Sequence, residues 1–192
     1  MKIKIQASRR VREQYVANII TMFQSASEEQ EQAGRAWYPT AHRIADMMTD
    51  GDVRLGAGLL AALSPQTTWD LNVRLACDAF DTGRPAGHFG DALSKATRIL
   101  AGLPPESVLP MQRKTGHFYR CIVDPSDKDA VCVDRHAHDA AVGTVYGSAD
   151  RGLGAAGRYN LIADAYREAA RRLGEIPQVV QAVTWVVWKD AA

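Results

Sequence analysis

Residues 114–138, KTGHFYRCIVDPSDKDAVCVDRHAH, hold the densest group of reactive side chains in the sequence and connect two predicted helices. Lys114 stands where the first of these helices is predicted to begin. Asp134 follows the apolar run Ala130–Val133, and helix-permissive sequence continues from there to Val142. An amine and a carboxylate at two helix starts can perform nucleophilic or acid–base chemistry if the fold brings them together.

The composition indicates a globular chain with a buried core. Of the 192 residues, 46% are hydrophobic and 23% are charged, and the mean hydropathy is -0.23. This length suits one domain, or two tightly packed lobes. The net charge of +1 excludes a strongly basic protein, so any binding of nucleic acid requires a local patch of positive charge.

The N-terminal sequence and the cysteines indicate a cytoplasmic protein. The sequence MKIKIQASRR has no apolar core of a signal peptide, and no stretch approaches the roughly 18 apolar residues that span a membrane. Cys77, Cys121 and Cys132 form no CxxC motif and are too few for a four-cysteine metal or iron–sulfur site. We therefore expect a reducing compartment, no membrane association, no cofactor and no metal, and we expect a monomer.

Helix caps and apolar periodicity predict an all-α fold of about nine helices without a regular strand. Predicted helix starts include Ser8, Thr40, Asp52, Thr67 or Thr68, Asp91 and Lys114. Each is followed by apolar residues at spacings of three and four, the pattern of a helix with one buried face.

Three further segments are predicted from their composition to be a buried helix, a linker and a loop. Residues Val53–Leu63 are apolar and almost free of charge, which is typical of a fully buried helix. The polar residues Ser25–Gln32 are predicted to form a solvated linker. The Gly- and Ala-rich residues Gly143–Gly157 are predicted to form a loop between two helical blocks.

Three motifs, in the same order and at similar spacing, resemble those of the helix-hairpin-helix DNA glycosylases of the endonuclease III type. LSPQTT at residues 63–68, with Asn72 downstream, resembles the LSxQT signature that joins two helices beside the DNA. LPMQRKT at residues 109–115 resembles the end of LPGVGRKTA, which carries the hairpin and a catalytic lysine. VDRH at residues 133–136 resembles VDTH, which carries a catalytic aspartate.

The resemblance covers residues 59–138 and includes departures from the family pattern. Met111-Gln112 replaces GVG, so the hairpin is one residue shorter and lacks the glycines whose backbone N–H groups would meet a phosphate. The iron–sulfur cysteines of many relatives are also missing. Such a pattern resembles divergent, phage-associated branches of the superfamily. The resemblance implies a two-lobed helical domain over residues 1–192, with an active site in the cleft between the lobes.

The resemblance implies a role for each of three side chains, and each has a structural alternative. Asp134 would stabilise positive charge on the sugar or activate water, although Asp before a helix is also a favoured N-cap. Lys114 would be a nucleophile that forms a Schiff base, or else a phosphate contact. Gln66 would fill the gap left by a flipped base, or else be a polar turn residue.

The remaining candidates divide into two groups. His117, Tyr119 and Trp69 are predicted to line a base pocket, with core packing as the alternative. A D-x-H-x-H string at residues 134–138 suggests a metal only in a strand, and we predict a helix there, so no metal is assigned. Predicted nucleic-acid contacts, in addition to Gln66, are Thr67, Asn72, Gln112, Arg113, Thr115 and His136.

Three hypotheses for function follow from these motifs. The first is an enzyme acting on DNA bases, an N-glycosylase that excises a damaged or modified base. The second is a transferase on the same scaffold that modifies an activated thymine derivative in phage DNA. The third is a catalytically silent module that binds DNA or protein, and binding of DNA that weakens with salt and yields no base product would favour it.

Overall fold

The computed structural model describes residues 7–155 and 157–191, and every regular element in these ranges is a helix, which confirms the predicted all-α class. Among the helices of these ranges, none combines the length and the apolar character needed to cross a membrane. The helices are α1 Arg9–Gln24, α2 Glu28–Met48, α3 Val53–Leu63, α4 Trp69–Thr82, α5 Gly90–Leu100, α6 Pro105–Val108, α7 Lys114–Val123, α8 Arg135–Val142, α9 Arg158–Leu173 and α10 Pro177–Ala191.

Several predicted caps begin helices in the structure. The side chains of Ser8, Asp52 and Thr68 each accept a hydrogen bond from the backbone N–H three residues further on, at 3.3, 3.0 and 3.4 Å. Such bonds satisfy amide groups that have no partner within the helix. The predicted starts of α1, α3 and α4 are therefore confirmed.

Helix α2 corrects the prediction for the polar segment Ser25–Gln32. The backbone N–H of Gln30 donates to Ser27 Oγ at 3.2 Å, and the N–H of Ser27 donates to Gln30 Oε1 at 3.0 Å. This reciprocal pair is a capping box, and the helix starts at Glu28. Thr40, the predicted cap, therefore lies inside α2, which continues through Pro39.

The chain divides into two compact units. Unit 1 contains the residues up to Trp37 and those from Ser126 onward, and unit 2 contains residues 38–125. In unit 1, α1, α8, α9 and α10 pack on one another around a core that includes Ile19, Tyr159, Ile162, Tyr166 and Val180. The Tyr166 hydroxyl donates to Ala137 O at 3.0 Å and thereby joins α9 to α8 inside this core.

A non-helical segment of unit 1, residues 130–133, leads into the N-terminus of α8, and all four residues are buried. One hydroxyl group makes hydrogen bonds to two backbone groups of this segment. Tyr159 Oη donates to Val131 O at 2.7 Å and accepts from Val133 N at 3.0 Å. Two buried polar groups are thereby satisfied, and the segment places Asp134 at the start of α8.

Unit 2 is built around α3, which packs against α4, α5 and α7. Residues 56–63 of this helix are all buried, as predicted, whereas its first turn, with Arg54 exposed, is not. Gly56 permits a close approach to the C-terminal half of α2, because an added Cβ would lie 2.3 Å from Ala45 O.

Candidate functional site

The carboxylate of Asp134 is held at both of its oxygen atoms. Oδ1 accepts the backbone N–H of Ala137 at 2.8 Å, which is the N-cap bond of α8. Oδ2 accepts the indole Nε1–H of Trp185, on α10, at 3.0 Å. Asp134 is half-buried. The side chain predicted to be catalytic is therefore a helix cap as well, and it has a second donor that the sequence did not indicate.

Aromatic rings and one lysine surround Trp185. The ring centroid of Trp37 lies 5.2 Å from that of Trp185, and the ring of His136 meets it edge-on at 6.2 Å. Lys189 Nζ lies 4.4 Å from the Trp185 ring centroid. We call these four residues and Asp134 the Asp134 cluster. Trp185 and Trp188 are only half-buried.

His136 has a lowered pKa. Burial is the main cause, Arg135 and Lys189 add to it, and Asp134 opposes it. Arg135 Nε donates to His136 Nε2 at 3.1 Å. A guanidinium group only donates, so in the neutral ring Nδ1 carries the proton. The predicted nucleic-acid contact at His136 therefore remains a prediction, now for a neutral side chain with one N–H donor.

His138 lies apart from His136, with no exposed surface. Its Nδ1 donates to Asp139 Oδ1 and its Nε2 accepts from Arg158 Nη2, both at 2.9 Å. Burial lowers the pKa of His138 and outweighs the opposing hydrogen bond from Asp139. Because both ring nitrogens are engaged, this side chain belongs to a structural network.

Asp139 anchors the Gly- and Ala-rich loop after α8. Its carboxylate also accepts two hydrogen bonds from Arg151 and one, at 3.1 Å, from the backbone N–H of Tyr146. Burial by itself raises the pKa of Asp139, but the bonds from Arg151, His138 and Tyr146 outweigh it and lower the pKa to about 2. The segment predicted as a loop is thus attached to α8 by a buried ion pair.

In unit 2, Gln66 occupies a strained turn between α3 and α4. Its φ is 61°, and its side chain is exposed. Thr67 Oγ1 lies within hydrogen-bond distance of Leu63 O, at 3.2 Å, and of Ser64 O, at 3.1 Å. A left-handed conformation favours Gly or Asn, so glutamine at this position has a conformational cost. The exposed Gln66 amide is therefore held on a backbone conformation that is strained for glutamine.

An open groove of about 430 Å³ runs beside Gln66. Two of its apolar residues are exposed, Phe89 by 42% and Leu71 by 37%. Phe89 N donates to His88 Nδ1 at 2.8 Å, which leaves a proton on Nε2 in the neutral ring. His88 Nε2 has no hydrogen-bond partner among the residues that the structure describes. The groove is lined by Gln66, Thr67, Leu71, Gly87, His88 and Phe89.

His88 and Phe89 were missed in the sequence analysis, although a signal was present. An aromatic pair between Gly87 and Gly90 is unusual in a turn, where polar residues predominate.

Asn72 is a correction to the predicted nucleic-acid contacts. Its side chain is only 2% exposed, and its Nδ2 donates to Leu60 O at 3.1 Å. It joins α4 to α3 from within the core of unit 2. A buried amide of this kind does not reach a ligand at the surface, so its role is structural.

The turn at residues 110–113, which the resemblance predicts to be a shortened hairpin, rests on α7. An added Cβ at Gly116 would lie 2.3 Å from Met111 Cα and 2.6 Å from Pro110 O, so the turn backbone packs directly on this helix. Gln112 is exposed, and Arg113, Lys114 and Thr115 are half-buried at the start of α7. Lys114 is the first residue of that helix, as predicted.

Two of the three predicted base-pocket residues are buried, which contradicts that role for them. His117 is 4% exposed and Tyr119 is 2% exposed. The Tyr119 hydroxyl donates to Glu106 Oε1 at 2.7 Å. Side chains so enclosed cannot stack on an incoming base. Trp69 is half-buried and meets the Phe118 ring edge-on at 6.4 Å, so its predicted role remains open to test.

Comparison with known families assigns the chain to a family without an established activity. The model of the DUF7178 family, described as a family of unknown function, matches residues 1–192. The chain therefore belongs to that family. Comparisons with curated proteins and with solved structures found no match.

Proposed function

We propose that this protein is a DNA N-glycosylase that excises a damaged or modified base. The observation that carries the proposal is the carboxylate of Asp134, half-buried and held at both oxygens by N–H donors. A fixed negative charge is what a transition state with developing positive charge on a sugar requires. The three motifs that resemble those of the endonuclease III type support the same chemistry.

In the proposed reaction, the bond between C1′ of the sugar and the base nitrogen breaks. The base leaves with the bonding electron pair and takes up a proton, while water adds through its oxygen to C1′. Asp134 stabilises the positive charge on the sugar, accepts the proton that the water loses and releases it to solvent, which supplies the proton that the base takes up. The products are a free base and an abasic site.

Lys114 supplies an alternative nucleophile. Attack of its neutral amine on C1′ would displace the base and give a Schiff base, which leads to strand cleavage. Its half-buried place at the start of α7, where the resembling motif has its catalytic lysine, supports this role. Contact with a phosphate remains the alternative for Lys114.

The exposed residues of unit 2 would contact the DNA. A flipped base leaves a gap in the duplex that must be filled. The Gln66 amide carries both a donor and an acceptor for the orphaned base, and Phe89 offers an apolar ring on the same groove. A glutamine in a left-handed turn supports a role for its side chain, since glycine would fit the backbone more easily. Gln112, Arg113 and Thr115 are the proposed phosphate contacts.

The test is mass spectrometry of the small molecules released from several genomic DNAs, including hypermodified phage DNA. Wild type is compared with Asp134→Asn and with Asp164→Asn, which removes an exposed carboxylate of α9. We expect a free base from wild type and from Asp164→Asn, and none from Asp134→Asn. Release that persists in Asp134→Asn would remove Asp134 from the mechanism.

The same experiment separates the other two hypotheses. Added mass on the DNA without a released base would replace the glycosylase by a transferase acting on an activated thymine derivative. Binding of DNA with no change in either fraction would favour the silent binding module.

A further inference from the structure

We propose that Trp185 is a positioning residue that fixes the orientation of the Asp134 carboxylate. The inference rests on the proposed function, since it assigns Trp185 a role in the chemistry of Asp134. It concerns a contact between residues 51 positions apart in the chain, on the C-terminal helix α10 and at the start of α8.

One donor is not sufficient to orient a carboxylate. The torsion that rotates a carboxylate is broad, so a single hydrogen bond leaves the group free to swing about its bonded oxygen. In Asp134, the Ala137 N–H holds Oδ1 at 2.8 Å and the Trp185 indole holds Oδ2 at 3.0 Å. Two donors on different oxygens restrict this rotation. The other lone pairs of the carboxylate then point in fixed directions.

Trp185 is itself well supported for such a task. Trp37 packs on its ring at 5.2 Å with an angle of 36° between the ring planes. Lys189 Nζ lies 4.4 Å from the same ring, a cation–π contact. The edge-on contact with His136 adds a third neighbour. The indole is a rigid ring with two side-chain torsions, and three neighbours hold it in place. Its N–H donor is therefore fixed at a small cost in side-chain conformational entropy.

The alternative is that Trp185 only fills space beside Asp134. In that case, removal of the indole N–H would change stability and leave the response of Asp134 to a positive charge intact. A useful readout therefore compares two ligands that differ in charge and in little else. The target base is not needed, because the positive charge of the transition state develops on the sugar.

The experiment measures equilibrium binding, at one fixed salt concentration, to two duplexes. One carries a neutral tetrahydrofuran in place of a deoxynucleotide, and the other carries a cationic pyrrolidine. We expect wild type to prefer the cationic duplex and Asp134→Asn to lose this preference. Trp185→Phe should lower it about tenfold, the effect of one hydrogen bond to a charged group, with affinity for the neutral duplex unchanged. Trp188→Phe, on the same helix, should match wild type.

The outcomes separate this inference from the proposed function. Equal affinity of wild type for the two duplexes would mean that Asp134 does not stabilise a sugar cation, and the proposed function would fail. A preference that Asp134→Asn loses and Trp185→Phe retains would overturn the role of Trp185 alone. If Trp185→Phe does not fold, the indole N–H resonance that changes in Asp134→Asn identifies Trp185 in the spectrum of the wild type. A larger shift of that resonance with the cationic duplex would support positioning, and equal shifts would overturn it.

Discussion

Arg151 and Asp139 are joined by two parallel hydrogen bonds, from Nε to Oδ1 at 2.7 Å and from Nη2 to Oδ2 at 2.6 Å. The side chains are 13% and 4% exposed. Arg151→Met would leave a buried carboxylate without its main partner, and we expect it to lower the free energy of unfolding by about 3 kcal/mol. Urea denaturation would measure this loss. Arg171→Met, which breaks an exposed pair with Glu168, is the control and should cause no measurable change. Equal effects of the two variants would contradict the prediction.

Stability should fall as the pH drops below about 6.5, because burial lowers the pKa of His138 in the folded protein. The unfolded chain then binds the proton more readily, so stability is full above the unfolded pKa and is lost as pH falls toward the folded pKa. Arg158 and Arg151 face His138 and oppose its protonation, while Asp139 favours it. His136 has the same direction of shift and adds to the slope.

The measurement is the free energy of unfolding between pH 7.5 and pH 5, values chosen to span about 6.5. His138→Gln should flatten the slope, and His136→Gln should flatten it by a smaller amount, because that side chain is only half-buried. A slope that is unchanged in His138→Gln would show that this imidazole does not govern stability. At more acidic pH Asp139 adds to the loss, because its folded pKa of about 2 lies below its ordinary value, and the lowered pKa values of Glu106 and Glu168 act in the same direction.

Gly116→Ala should disturb the hairpin before α7. The new methyl group would lie 2.3 Å from Met111 Cα, which is backbone and cannot rotate away. We expect a loss of about 1–3 kcal/mol in the free energy of unfolding, together with weaker binding to duplex DNA. Gly154→Ala is the control, because its methyl group would meet open space. If Gly116→Ala weakened neither stability nor binding, the hairpin would not depend on this contact.

Gln66→Gly should lower the affinity for DNA while it leaves the free energy of unfolding nearly unchanged. The left-handed conformation costs an ordinary residue about 1 kcal/mol, and glycine relieves it at a similar entropic expense, so the free energy of unfolding should stay within about 1 kcal/mol of wild type. Affinity for a duplex with an abasic site should fall about tenfold, because a hydrogen-bonding side chain is lost from the gap.

Asp50→Gly is the matched control for this variant. Asp50, with φ 52°, is the other non-glycine residue with positive φ in residues 7–155 and 157–191. It should show the same small change in stability and no change in affinity, as measured by fluorescence anisotropy with labelled duplex. Equal affinity of all three proteins would remove Gln66 from the DNA contact.

Local chemistry made most helix boundaries predictable. The caps at Ser8, Asp52 and Asp134 act within a few residues, so the sequence around each contains the information required. The start of α2 was also visible as Ser27 and Gln30 three positions apart. The Glu- and Gln-rich composition of the segment obscured this signal, because polar residues on a solvated helix face resemble those of a linker.

Contacts between distant parts of the chain were not predictable in the same way. Nothing near Trp185 in sequence indicates that its indole meets Asp134, and the Arg151–Asp139 pair likewise depends on how α8 and the following loop pack. Asn72, predicted from the motif to contact DNA, and Tyr119, predicted to line a base pocket, are both buried, and each donates a hydrogen bond inside unit 2, to Leu60 and Glu106 respectively. A motif identified the residue types, but burial decided which of them face solvent.

The hydroxyl of Tyr159 has an evolutionary consequence. It donates a hydrogen bond to Val131 O and accepts one from Val133 N. These two hydrogen bonds take the place of some that a neighbouring strand would make to the segment before Asp134. Phenylalanine at this position would leave two buried backbone groups without that partner. We therefore expect tyrosine at position 159 and the non-helical segment 130–133 to be inherited together across the DUF7178 family. Relatives that lack the tyrosine should also have a different backbone conformation in the segment that precedes the aspartate.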